Sequence, residues 1–482
     1  MSLAQRIGPW FRPAAYLGRN RLTLAGAVLT TSSAITLIGF WLLDIVLGGT
    51  IPPYAGVIFF LILPGILVIG LILMPIGVLW RRFALARAGT LPAIYPQFDL
   101  TMSTVRQAVS WVAGLTLANV IILSMASYRG VEYMDSAKFC GQTCHTVMQP
   151  EFTSHENSPH QRVACVACHI GPGASWFVRS KLSGLHQVYA VVFHTYDRPI
   201  PSPVEQLRPS RETCEQCHWP QVFTGNKLVV IRQFSEDEKN TELTTVLLLK
   251  IGGHTWNGGV GIHGAHLDSK APVEYISTDR QRQNIVQVAY TDNSGQRTIF
   301  TSSDPSPTSA QLAAGEHRIM DCVDCHNRPT HTFQLPEEAV DQAMAQGSIS
   351  PELPYVRKEA VAVLNVNYPD RDTASREIAS SLEAFYRGSY PDVYQNKNAL
   401  METAIGEVQA IYNRNIFPAM NVTWGTYPNN LGHMDFPGCF RCHDGSHTSA
   451  DGRTIPNDCD TCHTLLAVAE PNPKILSDLG VN

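Results

Sequence analysis

The chain has 482 residues, which suggests roughly three domains at about 150 residues each. Its 36 basic and 41 acidic residues give a net charge of −5, so there is no electrostatic reason to expect a nucleic-acid binder. With 35 glycines and 31 prolines, the chain is neither collagen-like nor of low complexity.

Three long uncharged stretches occupy most of the first 130 residues. Each reaches the roughly 20 apolar residues that a helix needs to cross a bilayer, and each is bounded by charged residues. A single stretch of this kind could be a buried core helix, but three in succession predict a membrane domain over residues 22–128. The predicted spans are about 22–43, 54–80 and 107–128.

The charges beside these spans predict their orientation. Residues 1–21 carry four arginines and the loop after the second span begins with three more, namely Arg6, Arg12, Arg19, Arg21, Arg81, Arg82 and Arg87. By the positive-inside rule, residues 1–21 and 81–104 are cytoplasmic, and an odd number of spans places everything after Tyr128 on the far side. The first span is too long, and lies too far into the chain, to be a cleaved signal peptide.

All 12 cysteines fall into six short pairs, and a histidine directly follows each pair. Five pairs have the pattern C-x-x-C-H, and the first has one extra residue between its cysteines. The cysteines are Cys140, Cys144, Cys165, Cys168, Cys214, Cys217, Cys322, Cys325, Cys439, Cys442, Cys459 and Cys462. The histidines that follow them are His145, His169, His218, His326, His443 and His463.

This pattern is the attachment signature of c-type haem. Two thiols add to the porphyrin vinyl groups, and the adjacent histidine reaches the iron as an axial ligand. Zinc ribbons, redox cysteine pairs and disulfides do not require a histidine at that place. The sequence therefore predicts six covalently bound haem c groups. Covalent haem attachment in bacteria takes place in the periplasm, which agrees with the orientation from charge and predicts a multi-pass protein of the bacterial inner membrane.

Eleven further histidines could supply second axial ligands. Those favoured by their closeness to a motif or to each other are His160, His263, His266, His331, His433 and His447. The alternatives are His254, His186 and His194, and, less favoured, His155 and His317. Met148 follows the first motif by three residues, and either a thioether ligand or a packing methionine would account for it.

The predicted fold is mainly α-helical, with much irregular chain wrapped around haems, because about 59 residues per haem leave little material for conventional cores. We predict a three-haem module over 129–226, a small β-rich segment over 227–310 and a second three-haem module over 311–482. The predicted strands are 229–231, 244–249, 273–276, 285–290 and 297–301, with a turn at 292–295 and a linker at 304–309. Helices that connect the fourth motif to the last two are predicted at 336–346, 357–364, 375–386 and 400–412.

Residues 140–220 resemble the NapC/NirT family of membrane-anchored quinol dehydrogenase cytochromes. A membrane helix leads directly into the first motif, Met148 follows it, and the second motif is followed by Trp176-Phe-Val-Arg179-Ser-Lys181. The chain is also similar to longer multihaem members from metal-respiring bacteria, in the strings Ser158-Pro-His160, Arg198-Pro-Ile-Pro201, Cys214-Glu-Gln-Cys-His-Trp-Pro220, Asp324-Cys-His-Asn-Arg-Pro329 and Trp424-Gly-Thr-Tyr-Pro428. Two departures are the extra residue in the first motif and the three predicted spans, where a typical member has one.

The resemblance implies that menaquinol is oxidised at the periplasmic membrane surface beside the first haem. Electrons would then pass to a periplasmic cytochrome or reductase. The quinol-site lysine of the family corresponds to Lys181, and the other residues expected near that site are Met148, Arg179 and His186. The acidic partner of that lysine has no clear counterpart here. Electrons would enter beside Cys140–His145 and leave near Cys459–His463.

Two other functions remain open at this stage. The chain could be a passive relay fed by a separate quinol-oxidising protein, or a terminal reductase for nitrite, hydroxylamine or a metal ion. A reductase needs a haem with an open axial position, and eleven spare histidines count against one.

Overall fold

The structure, a computed structural model, describes residues 13, 16–46, 58–92, 103–143, 145–171, 174–204, 207–219, 222–223, 225–253, 260–268, 270–292 and 294–481. It divides into two compact units, Met1–Thr143 and Cys144–Asn482. The division falls within the first cysteine motif, and Cys144 of that motif lies outside the described residues. The described chain is mainly helical with small antiparallel sheets.

The first unit contains three long helices, which are α1 (Arg21–Val46), α2 (Leu63–Arg87) and α3 (Ser103–Met134). All three are long and apolar enough to cross a membrane, over Arg21–Leu42, Leu63–Arg87 and Ala113–Met134. This confirms the three membrane-capable segments. The second helix begins later than predicted, after a π-helical turn at Ile58–Ile62, and continues to Arg87.

Small residues bring α1 and α2 into close contact. A Cβ atom on Gly26 would lie 2.7 Å from the carbonyl oxygen of Gly70, and the Asn20 side chain donates a hydrogen bond of 3.0 Å to the carbonyl of Gly77. Close backbone approach of this kind is typical of helices that pack within membranes.

The second unit holds fourteen further α-helices in its described part. They are α4 (His145–Glu156), α5 (Cys165–His169), α6 (Ala174–Val192), α7 (Ser210–Cys214), α8 (Ile262–Leu267), α9 (Ser309–Ala314), α10 (Cys322–Cys325), α11 (Pro336–Ala345), α12 (Val356–Leu364), α13 (Arg371–Ser389), α14 (Pro391–Asn396), α15 (Asn398–Asn415), α16 (Cys459–Cys462) and α17 (Lys474–Asp478). Its strands are β1 (Lys227–Phe234), β2 (Glu242–Leu249), β3 (Val273–Ser277), β4 (Ile285–Thr291), β5 (Arg297–Ser302), β6 (Glu316–Ile319), β7 (His447–Ser449) and β8 (His463–Glu470).

Helices α11–α15 build a conventional apolar core between the fourth and fifth motifs. Their buried side chains include Val340, Leu364, Ile378 and Val408, each fully shielded from solvent. The four helices predicted between 336 and 412 are present, and α13 and α15 are longer than expected. The expectation that little chain would be left for such a core is therefore wrong for residues 336–416, which bury apolar side chains against one another.

All five predicted strands between 227 and 303 are present, but they belong to two sheets rather than one. Strands β1 and β2 pair with the C-terminal β8, and β3–β5 form a sheet in the order β6-β3-β4-β5-β7. Strands β6, β7 and β8 were not predicted. Each of them pairs with a strand that lies far away in the sequence. The residues of such short strands show little of the local pattern by which a strand is predicted.

The predicted turn between β4 and β5 is confirmed. One carboxylate oxygen of Asp292 accepts hydrogen bonds from the backbone amides of Ser294 and Gln296, both at 2.9 Å. Gly295 has a φ of +84°, a conformation that favours glycine.

Candidate haem sites

Three of the six cysteine motifs coincide with a single helical turn, because their first cysteines begin α5, α10 and α16. In the third motif, Cys214 is the last residue of α7 and a turn follows it. The fifth motif lies on a 3₁₀ turn at Gly438–Arg441. Residues three apart on a helical turn face the same side, so this local structure presents both thiols of a C-x-x-C pair toward one group.

Five of the motif histidines have a second histidine ring beside them. The pairs, with the distances between ring centres, are His160 and His218 (6.0 Å), His331 and His169 (6.2 Å), His263 and His326 (6.4 Å), His266 and His443 (5.8 Å), and His433 and His463 (6.1 Å). The side chain of the remaining motif histidine, His145, lies outside the described residues.

These distances match two imidazoles on opposite faces of one metal ion. A metal–imidazole bond is about 2.0–2.1 Å, and the ring centre lies about 1.1 Å behind the bonded nitrogen, so the two ring centres are then about 6.3 Å apart. A sixth pair, His155 and His331, also lies at 6.4 Å, but the Nε2 atom of His155 is directed at the carbonyl of Val163. The residues of this chain therefore fit bis-histidine haem iron at the second to sixth motifs.

Hydrogen bonds at Nδ1 fix the tautomer of four of these rings. In each ring Nδ1 donates to a backbone carbonyl. The donor and acceptor residues are His160 and Pro329 (3.2 Å), His266 and Ile262 (2.8 Å), His331 and Glu151 (2.9 Å), and His443 and Pro456 (2.6 Å). A ring that donates from Nδ1 keeps its lone pair on Nε2, which is the usual arrangement of a metal-ligating histidine.

Burial keeps several of these imidazoles neutral. Burial, together with the Arg328 guanidinium, lowers the pKa of His331 to about 3. Burial also lowers the pKa of His266 and that of His326. A neutral imidazole is the form that can bind a metal ion.

Glu151 and Arg328 hold His331 in place. The Arg328 guanidinium contacts both carboxylate oxygens of Glu151 at 3.2 Å, and its Nε donates to the backbone carbonyl of His331 at 2.7 Å. Its guanidinium also lies 4.3 Å from the centre of the Tyr427 ring. Local spacing could not predict this support of His331, because Glu151 and Arg328 lie 177 positions apart in the chain.

The second to sixth motifs are neighbours in space in the same order as in the chain. Helix α5 packs against α7, and α7 packs against α10. The thiol of Cys322 lies close to that of Cys214 and lowers the pKa of Cys214. Burial and the nearby Cys439 thiol raise the pKa of Cys462. Burial raises the pKa of Cys325 to about 11, and Cys439 also lies close to it.

Helix α8 supplies partners for two motifs at once. His263 faces the fourth-motif histidine and His266 faces the fifth-motif histidine. The sequence favoured both residues as second ligands without assigning them to motifs.

Among the favoured second ligands, His447 stands apart. It is 1 % exposed, its Nε2 lies 3.0 Å from the carbonyl oxygen of Ile285, and its Nδ1 lies 3.0 Å from the Asp444 carboxylate. Both ring nitrogens are therefore engaged, and this geometry does not favour His447 as a ligand. His155 likewise directs Nε2 at the carbonyl of Val163, at 3.0 Å.

The other histidines considered as second ligands do not lie beside a motif histidine within the described residues. His317 is exposed on β6, His186 is exposed within α6, and His194 is exposed just after α6 ends. His254 lies outside the described residues.

The residues expected around a quinol lie on α4 and α6. Met148 is partly buried on α4, whereas α6 carries Trp176, Arg179 and His186. The Arg179 guanidinium lies 5.0 Å from the centre of the Trp176 ring, and His186 is exposed. Lys181 belongs to α6, and its side chain lies outside the described part of the chain.

Substituting Gly264 by alanine is expected to disturb two haem sites together. Gly264 lies between the two histidines of α8, and a Cβ atom there would overlap the carbonyl oxygen of Gly253. Relief of such a clash typically costs about 1–3 kcal/mol and moves backbone. We expect loss of low-spin signal from two haems in the electron paramagnetic resonance spectrum. Gly406→Ala, which meets no atom within 4 Å, is the control, and an unchanged spectrum for Gly264→Ala would contradict the role of α8.

Comparison with known proteins relates the chain to c-type cytochromes. The family model of the NapC/NirT cytochrome c family, N-terminal region, matches residues 102–201. Cytochrome c-type protein ImcH of Geobacter sulfurreducens is 40 % identical over 458 residues, which cover 94 % of this chain and 89 % of the relative. Cytochrome c-type protein NrfH of Wolinella succinogenes is 27 % identical over 110 residues, or 22 % of this chain and 61 % of the relative. No solved structure matches this chain significantly.

Proposed function

Because the chain belongs to the NapC/NirT cytochrome c family, we propose that it oxidises a quinol, with menaquinol as donor, and delivers electrons to a periplasmic cytochrome or reductase in anaerobic respiration. Members of this family act as quinol dehydrogenases that pass electrons to cytochromes. The observation that carries the proposal is the pairing of five motif histidines with second histidines at bis-ligand distance.

Six haem c groups would be held by the twelve motif cysteines and six motif histidines. When bound, each iron supplies a one-electron couple whose potential depends on its axial ligands. His160, His331, His263, His266 and His433 would fill the sixth positions at the second to sixth motifs. A filled sixth position leaves no place for a substrate at the iron, which favours electron transfer over a terminal reductase at these five sites.

The surroundings of the first motif would handle the quinol. Oxidation of one quinol to a quinone releases two electrons and two protons. Arg179 and Lys181 would orient the quinol oxygens by donating hydrogen bonds, and the exposed imidazole of His186 would accept a proton. Met148 on α4 would lie beside the motif that it follows.

Three membrane-capable helices support a membrane anchor, and the excess of arginines before and after them supports a cytoplasmic N-terminus. On this orientation the second unit is periplasmic, where haem is attached. Electrons would enter beside the first motif, and the order of the second to sixth motifs in space supports their onward movement toward Cys459–His463.

The deciding experiment is anaerobic mixing of the purified protein with a menaquinol analogue, followed at the haem α-band. We expect rapid reduction of most haems. Lys181→Ala is expected to slow this reduction about 100-fold, because loss of a group that positions the substrate can cost about that much. Lys239→Ala, which removes an exposed lysine from the loop between β1 and β2, is the matched control and should react at the wild-type rate.

Reduction by dithionite tests the alternative function. A protein that dithionite reduces fully and menaquinol does not reduce at all is a passive relay, and this result would refute quinol oxidation. Equal rates for Lys181→Ala and the wild type would leave quinol oxidation standing but remove Lys181 from the site.

A further inference from the structure

The second histidine of the second motif lies beside a carboxylate. One carboxylate oxygen of Glu151 is 3.2 Å from Nδ1 of His331, close to the backbone carbonyl that accepts from the same atom at 2.9 Å. The Glu151 side chain is 14 % exposed. Its charge also reaches the opposite ring, because burial lowers the pKa of His169 and the Glu151 carboxylate acts in the opposite direction. Both rings of this site therefore experience the same negative charge.

The surroundings of the other paired histidines are neutral where the structure describes them. Nδ1 donates to a backbone carbonyl in His160, His266 and His443. The Nδ1 atoms of His263 and His463 are buried and have no hydrogen-bonding partner among the described residues. Within the described part of the chain, a carboxylate in contact with a paired histidine is thus a feature of the second motif alone.

Arg328 fixes this carboxylate next to the ring. Its guanidinium contacts both carboxylate oxygens of Glu151 at 3.2 Å, and its side chain is 8 % exposed. The guanidinium acts against the carboxylate at His331, whose pKa is lowered by burial first and by Arg328 second. The two charges offset each other. Because little water screens them, removal of either one strongly changes the electric potential at the ring.

We propose that Glu151 lowers the reduction potential of the haem iron at the second motif, by offsetting Arg328 and by giving Nδ1 of His331 an anionic neighbour. An anionic neighbour at Nδ1 raises the basicity of the imidazole, and a more basic axial ligand stabilises ferric iron. Glu151 is a positioning residue in this role, because it acts through His331 and does not bind the iron.

The consequence concerns the step from the second motif to the third, whose helices α5 and α7 pack together. In that step ferrous iron at the second motif is oxidised, ferric iron at the third motif is reduced, and one electron moves. Without Glu151, the buried charge of Arg328 would stabilise the ferrous state and retain the electron at the second motif. This inference rests on the haem assignment in the proposed function, but not on the identity of the electron donor.

The test is a spectroelectrochemical titration of the full-length holoprotein in detergent, followed at the haem α-band, after mass spectrometry has established the haem content. Glu151→Gln removes the charge and keeps the size of the side chain. We expect the redox component of one haem in six to move upward by at least about tenfold in its equilibrium constant, which is about 59 mV for one electron. Arg328→Gln leaves the carboxylate uncompensated and should move the same component downward, so the test does not depend on one variant.

Two controls separate the charge of Glu151 from its other contacts. Glu156→Gln removes an exposed carboxylate at the end of the same helix α4 and should leave every component in place. Glu151→Asp keeps the charge and should stay closer to the wild type than Glu151→Gln does. Electron paramagnetic resonance spectra of Glu151→Gln should retain the low-spin intensity of the wild type, because His331 still binds the iron.

Three outcomes would overturn the proposal, and they have different consequences for the proposed function. A Glu151→Gln titration that coincides with that of the wild type, in a protein with six haems, would remove the role of Glu151 and leave the proposed function untouched. Conversion of one haem of Glu151→Gln to high spin would show that Glu151 only holds His331 on the iron. A wild-type protein without haem on Cys165 and Cys168 would refute both this inference and the haem assignment.

Discussion

Replacing His331 by alanine is expected to convert one haem of six from low spin to high spin. His331 is the second histidine opposite His169, so its loss leaves the haem of the second motif with one axial ligand. The other four described pairs share no residue with this one. We therefore expect about one sixth of the low-spin intensity in electron paramagnetic resonance to be replaced by a high-spin signal.

Two further variants separate ligation from structural support. His331→Met replaces the imidazole ligand with a thioether ligand. This variant is expected to stay low-spin, while the reduction potential of that haem rises. His317→Ala removes an exposed histidine of β6 and should leave every haem low-spin. If His331→Ala retained the full low-spin intensity, the pairing with His169 would not represent ligation.

Removing the carboxylate of Asp324 is expected to cause the largest loss of stability. This side chain lies between the two cysteines of the fourth motif and is 1 % exposed. It accepts hydrogen bonds from the Tyr275 hydroxyl at 2.6 Å and from Arg318 Nε at 3.2 Å, and Arg282 lies 3.5 Å away. Breaking a buried ion pair by removing one partner costs about 3–5 kcal/mol, because the other charge stays buried without compensation.

The Asp324 network also joins distant parts of the chain around the fourth motif. One carboxylate oxygen accepts from the backbone amide of Asp321 at 2.7 Å, and the backbone carbonyl of Asp324 accepts from Arg441 at 2.6 Å. Because Arg441 belongs to the fifth motif, we expect Asp324→Ala to loosen both haem sites.

Chemical unfolding of the detergent-solubilised holoprotein, followed by the Soret band, measures this effect. Asp324→Asn keeps the shape and some hydrogen bonds, so its loss of stability should be smaller than that of Asp324→Ala. Asp451→Ala removes an exposed carboxylate near β7 and should leave the unfolding midpoint unchanged. A midpoint for Asp324→Ala equal to that of the wild type would show that the network does not stabilise the fold.

Several features could be predicted from local residues alone. The three membrane-capable helices follow from uninterrupted apolar stretches, and the haem motifs follow from the spacing of cysteine and histidine. The strands between 227 and 303 and the helices between 336 and 412 follow from side-chain periodicity and turn residues such as Asp292. Each of these features depends on residue types within about 20 neighbouring positions, so it can be predicted without knowledge of the tertiary contacts.

The second histidine of each site depends on chain folding instead. The paired residues are 30 to 177 positions apart, as with His433 and His463 or His266 and His443. Closeness to a motif favoured His331, and in the structure its ring lies beside His169 of the second motif rather than beside the histidine of the adjacent fourth motif. The same closeness favoured His447, whose ring is instead engaged by Ile285 and Asp444.

The sequence by itself therefore predicts which residues would hold haem and which segments can enter a membrane, since both predictions depend on residue type and short spacing. The tertiary structure decides which histidines face one another, how β6, β7 and β8 complete the two sheets, and that Glu151 lies beside His331. Those features depend on contacts between residues far apart in the chain. Such contacts stabilise the protein only after the intervening segments have folded and brought the residues together.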